Sequence, residues 1–309
     1  VLNKEYFLSS DFHSISAESG NRLYLARFGK VFDYIHTHLD EDLSLNRLSE
    51  VAAFSKYHFQ RQFSHLFGMS VHRYVQLCRF KRATFQLAFR PQQSVIDIAL
   101  KNGYETPESF ARAFKKITGD APSIFRKQTR WQAWYAHYQN LDKLRKNHMP
   151  SSNVIPSVQI IHTTDIKVAV MEHRGDPQLL GDTIRRFIAW RKQNHLPPKV
   201  SATFNLLYEH PDEIAAELFH LDLCAAIPHS FTISSNGITE KTIPAGRCAR
   251  LRHIGLEDHL DASIRYLYAD WLPQSGEQLR DFPLYLQRVI FFPDVPEHEA
   301  VTDIFLPLI

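Results

Sequence analysis

Leu23, Phe28, Val31, Ile35 and Leu39 recur at helical spacing, and similar patterns run on to about Tyr138 with no strand-like alternation between them. Breakers at Gly68, Pro91, Gly103, Gly119 and Pro122 cut this stretch into short helices and one longer one, from Val71 to about Phe89. Past Val158 the period changes. Ile166 to Glu172, Ser201 to Tyr208 and Leu218 to Ile227 read as strands around a helix from about Gln178 to Gln193. Between the two regions, Met149-Pro-Ser-Ser-Asn-Val-Ile-Pro156 supplies two prolines and three small polar residues, the composition of a linker. The pattern predicts an all-α domain over 1–147 with its core at 21–130, a linker at 148–157 and an α+β domain over 158–309. A chain of 309 residues, 44% hydrophobic, has enough apolar material for two cores, because single cores usually stop growing near ~250 residues.

Each half repeats itself. In the first, Leu45, Leu48, Ala53 and Phe54 correspond to Val95, Ile98, Gly103 and Tyr104 at a shift of fifty. Phe59, Arg61, Phe63 and Gly68 correspond to Phe110, Arg112, Phe114 and Gly119 at a shift of fifty-one, the extra residue falling in the turn. The repeated unit is helix, tight turn, helix, glycine stop. In the second half a shift of about eighty aligns Val168-Ala-Val-Met-Glu-His-Arg-Gly175 with Cys248-Ala-Arg-Leu-Arg-His-Ile-Gly255, and Ile184-Arg-Arg-Phe with Ile264-Arg-Tyr-Leu. The third and fourth elements recur as Leu284 to Phe291 and Val301 to Leu306, giving two βαββ units that meet over a concave groove.

Charge separates the halves. Residues 21–130 hold about 18 Lys/Arg against 9 Asp/Glu, whereas 151–309 hold about 14 against 20. The basic half carries two helices with the surface that a DNA groove accepts. Ser55 is a natural N-cap, and Phe59 and Phe63 are buried at i, i+4, which leaves Lys56, Tyr57, Gln60 and Arg61 exposed. Arg forks onto guanine, Gln onto adenine, and an aromatic edge meets a thymine methyl or a sugar. The second unit starts at Thr106 with Pro107 at N1, buries Phe110 and Phe114, and exposes Glu108, Ser109, Arg112, Lys115 and Lys116. A connecting helix of ~18 residues spans ~27 Å, which holds the two reading helices near the ~34 Å repeat of successive major grooves. Phosphate contacts are expected from Arg73, Lys81, Lys115 and Lys116.

These residues carry a resemblance. Ser55-Lys-Tyr-His-Phe-Gln-Arg-Gln-Phe63, Ile96-Asp-Ile-Ala-Leu-Lys-Asn-Gly-Tyr-Glu, Ser109-Phe-Ala-Arg-Ala-Phe-Lys-Lys, Gly119 and Pro122 resemble the AraC/XylS family of transcription regulators, in particular the multidrug, superoxide and antibiotic-resistance activators. The resemblance implies a homeodomain-like domain with two helix-turn-helix units on double-stranded DNA, base readers at Tyr57, Gln60, Arg61 and Arg112, and RNA polymerase as a partner. Tyr57 stands where close relatives usually carry tryptophan, and Pro107 and Glu108 stand where they often carry two glutamines.

The acidic half is rich in aromatic residues. Trp271 closes its helix, and Tyr208 and Tyr285 sit on matching strands, so these three are the expected effector-pocket residues. Glu209 and Glu217, flanking a Pro211-Asp-Glu loop, are the expected carboxylates, since a buried carboxylate facing aromatic rings favours an organic cation. The duplication, Trp271-Leu-Pro-Gln-Ser-Gly276 and the closing Asp303-Ile-Phe-Leu-Pro307 resemble the GyrI-like effector-binding fold, which implies a small-molecule effector. Many members of that family place a glutamate where this chain has Pro283.

Other chemistries find little support in the sequence. Cys78, Cys224 and Cys248 are far apart and never form CxxC, and the 17 histidines include no HExxH, so no metal and no cofactor are expected. There is no GxSxG and no phosphate-cradling glycine loop, so no catalytic residues are assigned. The alternative is a C-terminal hydrolase acting on a small molecule through Glu209 or Glu217. No run of about 18 apolar residues exists. The expectation is a cytoplasmic, nucleoid-associated regulator with no membrane contact.

Overall fold

The computed structural model describes residues 24–131, 134–135, 138, 141, 157–210, 213–234 and 237–309; the expected linker at 148–157 lies, apart from Ser157, outside them. The first half is helical: α1 (24–37), α2 (Leu45–Val51), α3 (Lys56–Phe67), α4 (Val71–Phe89), α5 (Val95–Lys101), α6 (Pro107–Thr118), α7 (Pro122–Lys127) and a helix α8 to which Trp131, Trp134, Tyr135, Tyr138 and Leu141 belong. Local chemistry sets the boundaries. Ser44, Ser55, Ser70, Ser94 and Thr106 each accept a hydrogen bond from the backbone N–H three residues on. Gly68 and Gly119 end α3 and α6 in the left-handed conformation that glycine enters without a Cβ clash.

Two aromatic cores form, one per helix-turn-helix unit. Phe28, Phe32, Phe59, Phe63, Phe67 and Tyr74 pack in the first, and Phe80, Phe110, Phe114, Phe125, Trp131 and Trp134 in the second. Helix α4 enters both. Arg79, halfway along it, donates to the carbonyls of Leu39 (2.9 Å) and Glu41 (2.6 Å) in the first unit and of Gly103 (3.3 Å) in the second. Its neighbour Arg82 donates to the Asn102 side chain at 2.9 Å and to the Lys101 carbonyl. The two units are thereby held at one spacing by a single helix and its two arginines.

The second half is one antiparallel sheet with two helices on one face. Its elements are β1 (Val158–Thr163), β2 (Ile166–Arg174), α9 (Leu180–Gln193), β3 (Thr203–Leu207), β4 (His220–Ala226), β5 (Thr239–Ile243), β6 (Gly246–Ile254), α10 (Leu260–Tyr266), α11 (Leu272–Ser275), β7 (Leu284–Ile290) and β8 (Val301–Pro307). A π-helical turn, Leu267–Trp271, joins α10 to α11. The strand order is β1-β6-β8-β7-β3-β4-β2-β5. The two repeats abut through β3 and β7, with Leu206 opposite Tyr285. The duplication is that expected, but each unit gains a leading strand, and the leading strands are exchanged: β1 pairs with β6 of the other repeat, and β5 pairs with β2. Both exchanged strands are largely exposed, so neither carries the clear apolar alternation that marks a half-buried strand.

Strand alternation gives the sheet two chemically different faces. Ala169, Leu223 and Ala225 pack under Phe187 and Trp190 of α9, and Ala249, Leu251, Leu286 and Ile304 pack under Leu260 of α10 and Leu267. The opposite face gathers Val168, Val170, Phe204, Leu206, Cys224, Cys248, Tyr285 and Phe305.

The halves meet along α4, α8 and α9. Lys81 of α4 ion-pairs with Glu297 and, at 3.4 Å, with Asp258. Arg90 grips Asp294, and the rings of Phe85 and Phe292 lie 5.2 Å apart. Gly181 packs so closely on Trp131 that a Cβ there would lie 2.2 Å from the ring.

Candidate functional site

Helices α3 and α6 are built to one plan. Each has twelve residues, with buried phenylalanines at its fourth and eighth positions, an arginine at its sixth (Arg61, Arg112) and a left-handed glycine as its stop. Burying the phenylalanine pair turns the opposite stripe outward. Lys56, Tyr57, Gln60 and Arg61 are exposed on α3, Tyr57 to 83%, and Glu108, Arg112, Lys115 and Lys116 are exposed on α6. Among the described residues, none pairs with the guanidinium of Arg61 or Arg112. Ser109 is half-buried, and its hydroxyl donates to the Thr106 carbonyl at 2.8 Å, so its outward role is limited to accepting. The plan diverges where base chemistry differs. Tyr57 and Gln60 of α3 are matched by Glu108 and Ala111 of α6, leaving Arg112 as the main donor of the second helix.

Of the four expected phosphate contacts, Arg73 is half-buried in the first turn of α4, and Lys115 and Lys116 are exposed. Lys81 is a correction. It is 4% exposed, its ammonium lies between Glu297 and Asp258 of the second half, and it sits 4.8 Å from the centre of the Tyr138 ring. The cause is its position mid-way along a helix covered on every side, where a lysine survives burial only when paired.

In the second half, the helix-free face ends in a polar cluster. Tyr208 and His220 stack at 4.2 Å with ring planes 3° apart. Asp222 is fully buried and accepts from the Tyr208 hydroxyl (2.8 Å), the Lys241 ammonium (2.7 Å) and His220 Nε2 (3.0 Å). Glu172 accepts from Lys241 at 2.9 Å and from Arg174 at 3.0 Å. The lysine hydrogen bond, aided by Arg174, holds the Glu172 carboxyl below its ordinary range. Burial, and then the Asp222 carboxylate, push Tyr208 up to about 12, so its phenol stays a donor. Lys241 is raised although burial opposes it, because Asp222 and Glu172 bind the ammonium. One ligand atom each from Glu172, His220 and Asp222 lies within 4.8 Å of the others, a spacing that would suit a metal ion. The cation resting on the two carboxylates is the protein's own lysine.

Tyr285 lies deeper on the same face, 1% exposed, stacked on Phe305 at 4.8 Å and bonded to Cys248 Sγ at 3.5 Å. Burial and the Cys248 contact raise its pKa. Tyr208 and Tyr285 share a face, and the other three expected pocket residues do not join them. Trp271, in the π-turn, packs with the helix-side core, as Trp190 does in the other repeat. Glu209 and Glu217 are exposed on the surface. The carboxylates of the polar cluster are instead Glu172 and Asp222, and it is Asp222 that accepts from the Tyr208 hydroxyl. Asp222 and Asp303 hold matching places in the sequence repeat, each beginning a run toward a proline, Pro228 or Pro307; Lys241 lies on β5, a strand the pattern did not reveal.

Comparison with known proteins agrees with both halves. Residues 48–128 match the family of the helix-turn-helix domain, and residues 156–309 match the GyrI-like small molecule binding domain. The probable transcriptional regulator YgiV of Escherichia coli (strain K12) is 32% identical over 158 residues, which cover 51% of this chain and 99% of YgiV. An uncharacterized HTH-type transcriptional regulator of Staphylococcus aureus (strain COL), SACOL0084, is 36% identical over 100 residues, 32% of this chain and 13% of that protein. Among solved structures, EcmrR in the cryo-EM structure of the EcmrR-DNA complex in EcmrR-RPo is similar with a TM-score of 0.43 at 13% identity, covering 85% of this chain and 98% of that one. Among the described residues, no helix is long and apolar enough to cross a membrane. With a helix-turn-helix half, a GyrI-like half and nearly the whole of YgiV covered, the chain belongs to the AraC-type transcriptional regulators that carry a C-terminal GyrI-like small-molecule-binding domain.

Proposed function

We propose that this regulator reads a bipartite site in two adjacent major grooves, and that a small molecule held by the C-terminal domain modulates the reading through α4. Lys56, Tyr57, Gln60 and Arg61 are the base readers of α3, and Glu108, Ser109 and Arg112 those of α6, with Arg73, Lys115 and Lys116 on phosphates. Glu108 accepts, so it favours a cytosine amino group where α3 favours purine acceptors. Arg79 and Arg82 fix the distance between the helices. The observation that carries the regulatory part is the seat of Lys81: the middle of the spacing helix is ion-paired to two carboxylates of the effector domain. A ligand that binds one arrangement of that domain better than another therefore acts on the spacing of the reading helices. The effect at a promoter is activation, through contact with RNA polymerase.

Selection of genome fragments with the full chain tests the reading. The expected result is a site of about 20 base pairs preferred over scrambled DNA by ~10³ or more at physiological salt. A preference below about tenfold would reduce the N-terminal half to a non-specific binder.

A further inference from the structure

Two carboxylates beside an aromatic ring form a receptor for an ammonium group, through charge-assisted hydrogen bonds and attraction to the ring face. Such a receptor stands at the polar end of the helix-free face, where Asp222 accepts from the Tyr208 hydroxyl, Glu172 shares the Lys241 ammonium with Asp222, and His220 backs the Tyr208 ring. It is filled from within. The Lys241 ammonium lies 2.9 Å from Glu172, 2.7 Å from Asp222 and 5.7 Å from the centre of the Tyr208 ring. Arg174 takes a further Glu172 contact, so two carboxylates face two cations and no negative charge is left over. The second repeat repeats the device by a different route. Asp303, the counterpart of Asp222, accepts from Nε and Nη2 of Arg252, at 2.7 and 2.8 Å. Arg252 occupies the position that matches Glu172, and the carboxylate–cation balance is kept although the charge at that position is reversed.

We propose that Lys241 is a tethered stand-in for a ligand ammonium and sets the charge class of the effector: the C-terminal domain takes an uncharged, apolar molecule and turns organic cations away. A cation arriving at Glu172 and Asp222 gains only the contacts that Lys241 must give up, whereas an uncharged ring meets the exposed part of Tyr208 without that exchange. The inference rests on the reading that this domain is the small-molecule-binding half.

Calorimetric titration of the full chain with benzylammonium and with its uncharged counterpart, benzyl alcohol, tests it. Wild type is expected to bind benzylammonium no more tightly than benzyl alcohol. Lys241→Met, which keeps the aliphatic stem and removes the charge, is expected to prefer benzylammonium by tenfold or more. Asp222→Asn added to Lys241→Met is expected to abolish that preference, and Lys241→Arg to behave as wild type. A tenfold preference for the cation in wild type would overturn the proposal, as would a folded Lys241→Met chain with no preference. Should Lys241→Met be too unstable to titrate, its melting temperature is the readout: benzylammonium raises it more than benzyl alcohol does, and equal effects overturn the proposal. Binding of neither probe to any of the chains would overturn the underlying reading as well, which separates the two failures.

Discussion

The ammonium of Lys81, at the centre of α4, is ion-paired with the carboxylate of Glu297 in the C-terminal domain, and both side chains are more than nine-tenths buried. Asp258, equally buried, faces the same ammonium and accepts from the Tyr138 hydroxyl at 3.0 Å. Removing one partner of a buried pair leaves uncompensated charge, at a cost of about 3–5 kcal/mol. Lys81→Met is therefore expected to lower the unfolding free energy by that order, measured by urea denaturation. Adding Glu297→Gln to Lys81→Met is expected to recover part of the loss, because it removes an orphaned charge. A Lys81→Met chain as stable as wild type would mean that the domains do not hold each other through α4.

The DNA-reading assignment predicts a sequence-dependent effect at Arg61. Arg61→Ala is expected to lose about 1–3 kcal/mol on the best site and to relax selectivity at one base step. Binding measured against a panel of single-base variants of that site decides the matter. A loss of the same size on every sequence would reassign Arg61 to a phosphate.

Legibility from sequence follows from what each element buries. Helices α3 and α6 were readable because Phe59/Phe63 and Phe110/Phe114 impose a helical period on an otherwise polar stretch, and the capping Ser55 and Thr106 mark where each begins. The strands next to α9 and α10 alternate because one face packs under a helix. β1 and β5 lack that helix cover, and their partners lie in the other repeat, so no local pattern reveals the exchange. Lys81 reads as a surface lysine because its partners are 177 and 216 residues away. The same distance effect hid Lys241, whose contacts with Glu172 and Asp222 depend on the strand exchange.

Gly103 tests whether Arg79 sets the spacing of the reading helices. Its φ is +72°, and a Cβ there would come within 2.4 Å of the Arg79 guanidinium. The left-handed conformation alone costs a non-glycine residue about 1–2 kcal/mol. Ala53, at the matching turn of the first unit with φ 53°, bears that strain, and Arg27 donates to its carbonyl at 3.4 Å. Gly103→Ala is expected to destabilise the chain by at least this amount and to push Arg79 off the Leu39, Glu41 and Gly103 carbonyls. Affinity for the bipartite site is expected to fall more than affinity for either half-site alone. Equal losses on the full site and the half-sites would show that the spacing is set elsewhere.

The duplication also places one histidine in each repeat of the second half as a neutral staple, and this gives stability a defined dependence on pH. His173 and His253 occupy matching positions on β2 and β6, each with Nδ1 2.9 Å from a hydroxyl, of Thr183 or Ser263. Each Nε2 faces a backbone carbonyl, of Asp176 at 3.2 Å or Leu256 at 3.0 Å. A carbonyl only accepts, so Nε2 carries the proton and Nδ1 accepts from the hydroxyl. Burial depresses both histidines below the ordinary 6.5. The unfolded chain then takes up protons first as the pH drops, so the stability these histidines contribute is present above about 6.5 and is lost between there and their lower folded values. Glu172, held below the ordinary 4.5, adds a loss only in more acidic solution. The melting temperature is expected to fall as the pH is taken from 7.5 to 5. His173→Gln combined with His253→Gln, which keeps a donor and an acceptor at each staple without a titrating ring, is expected to flatten that fall. Parallel curves for the two proteins would assign the pH dependence to other groups.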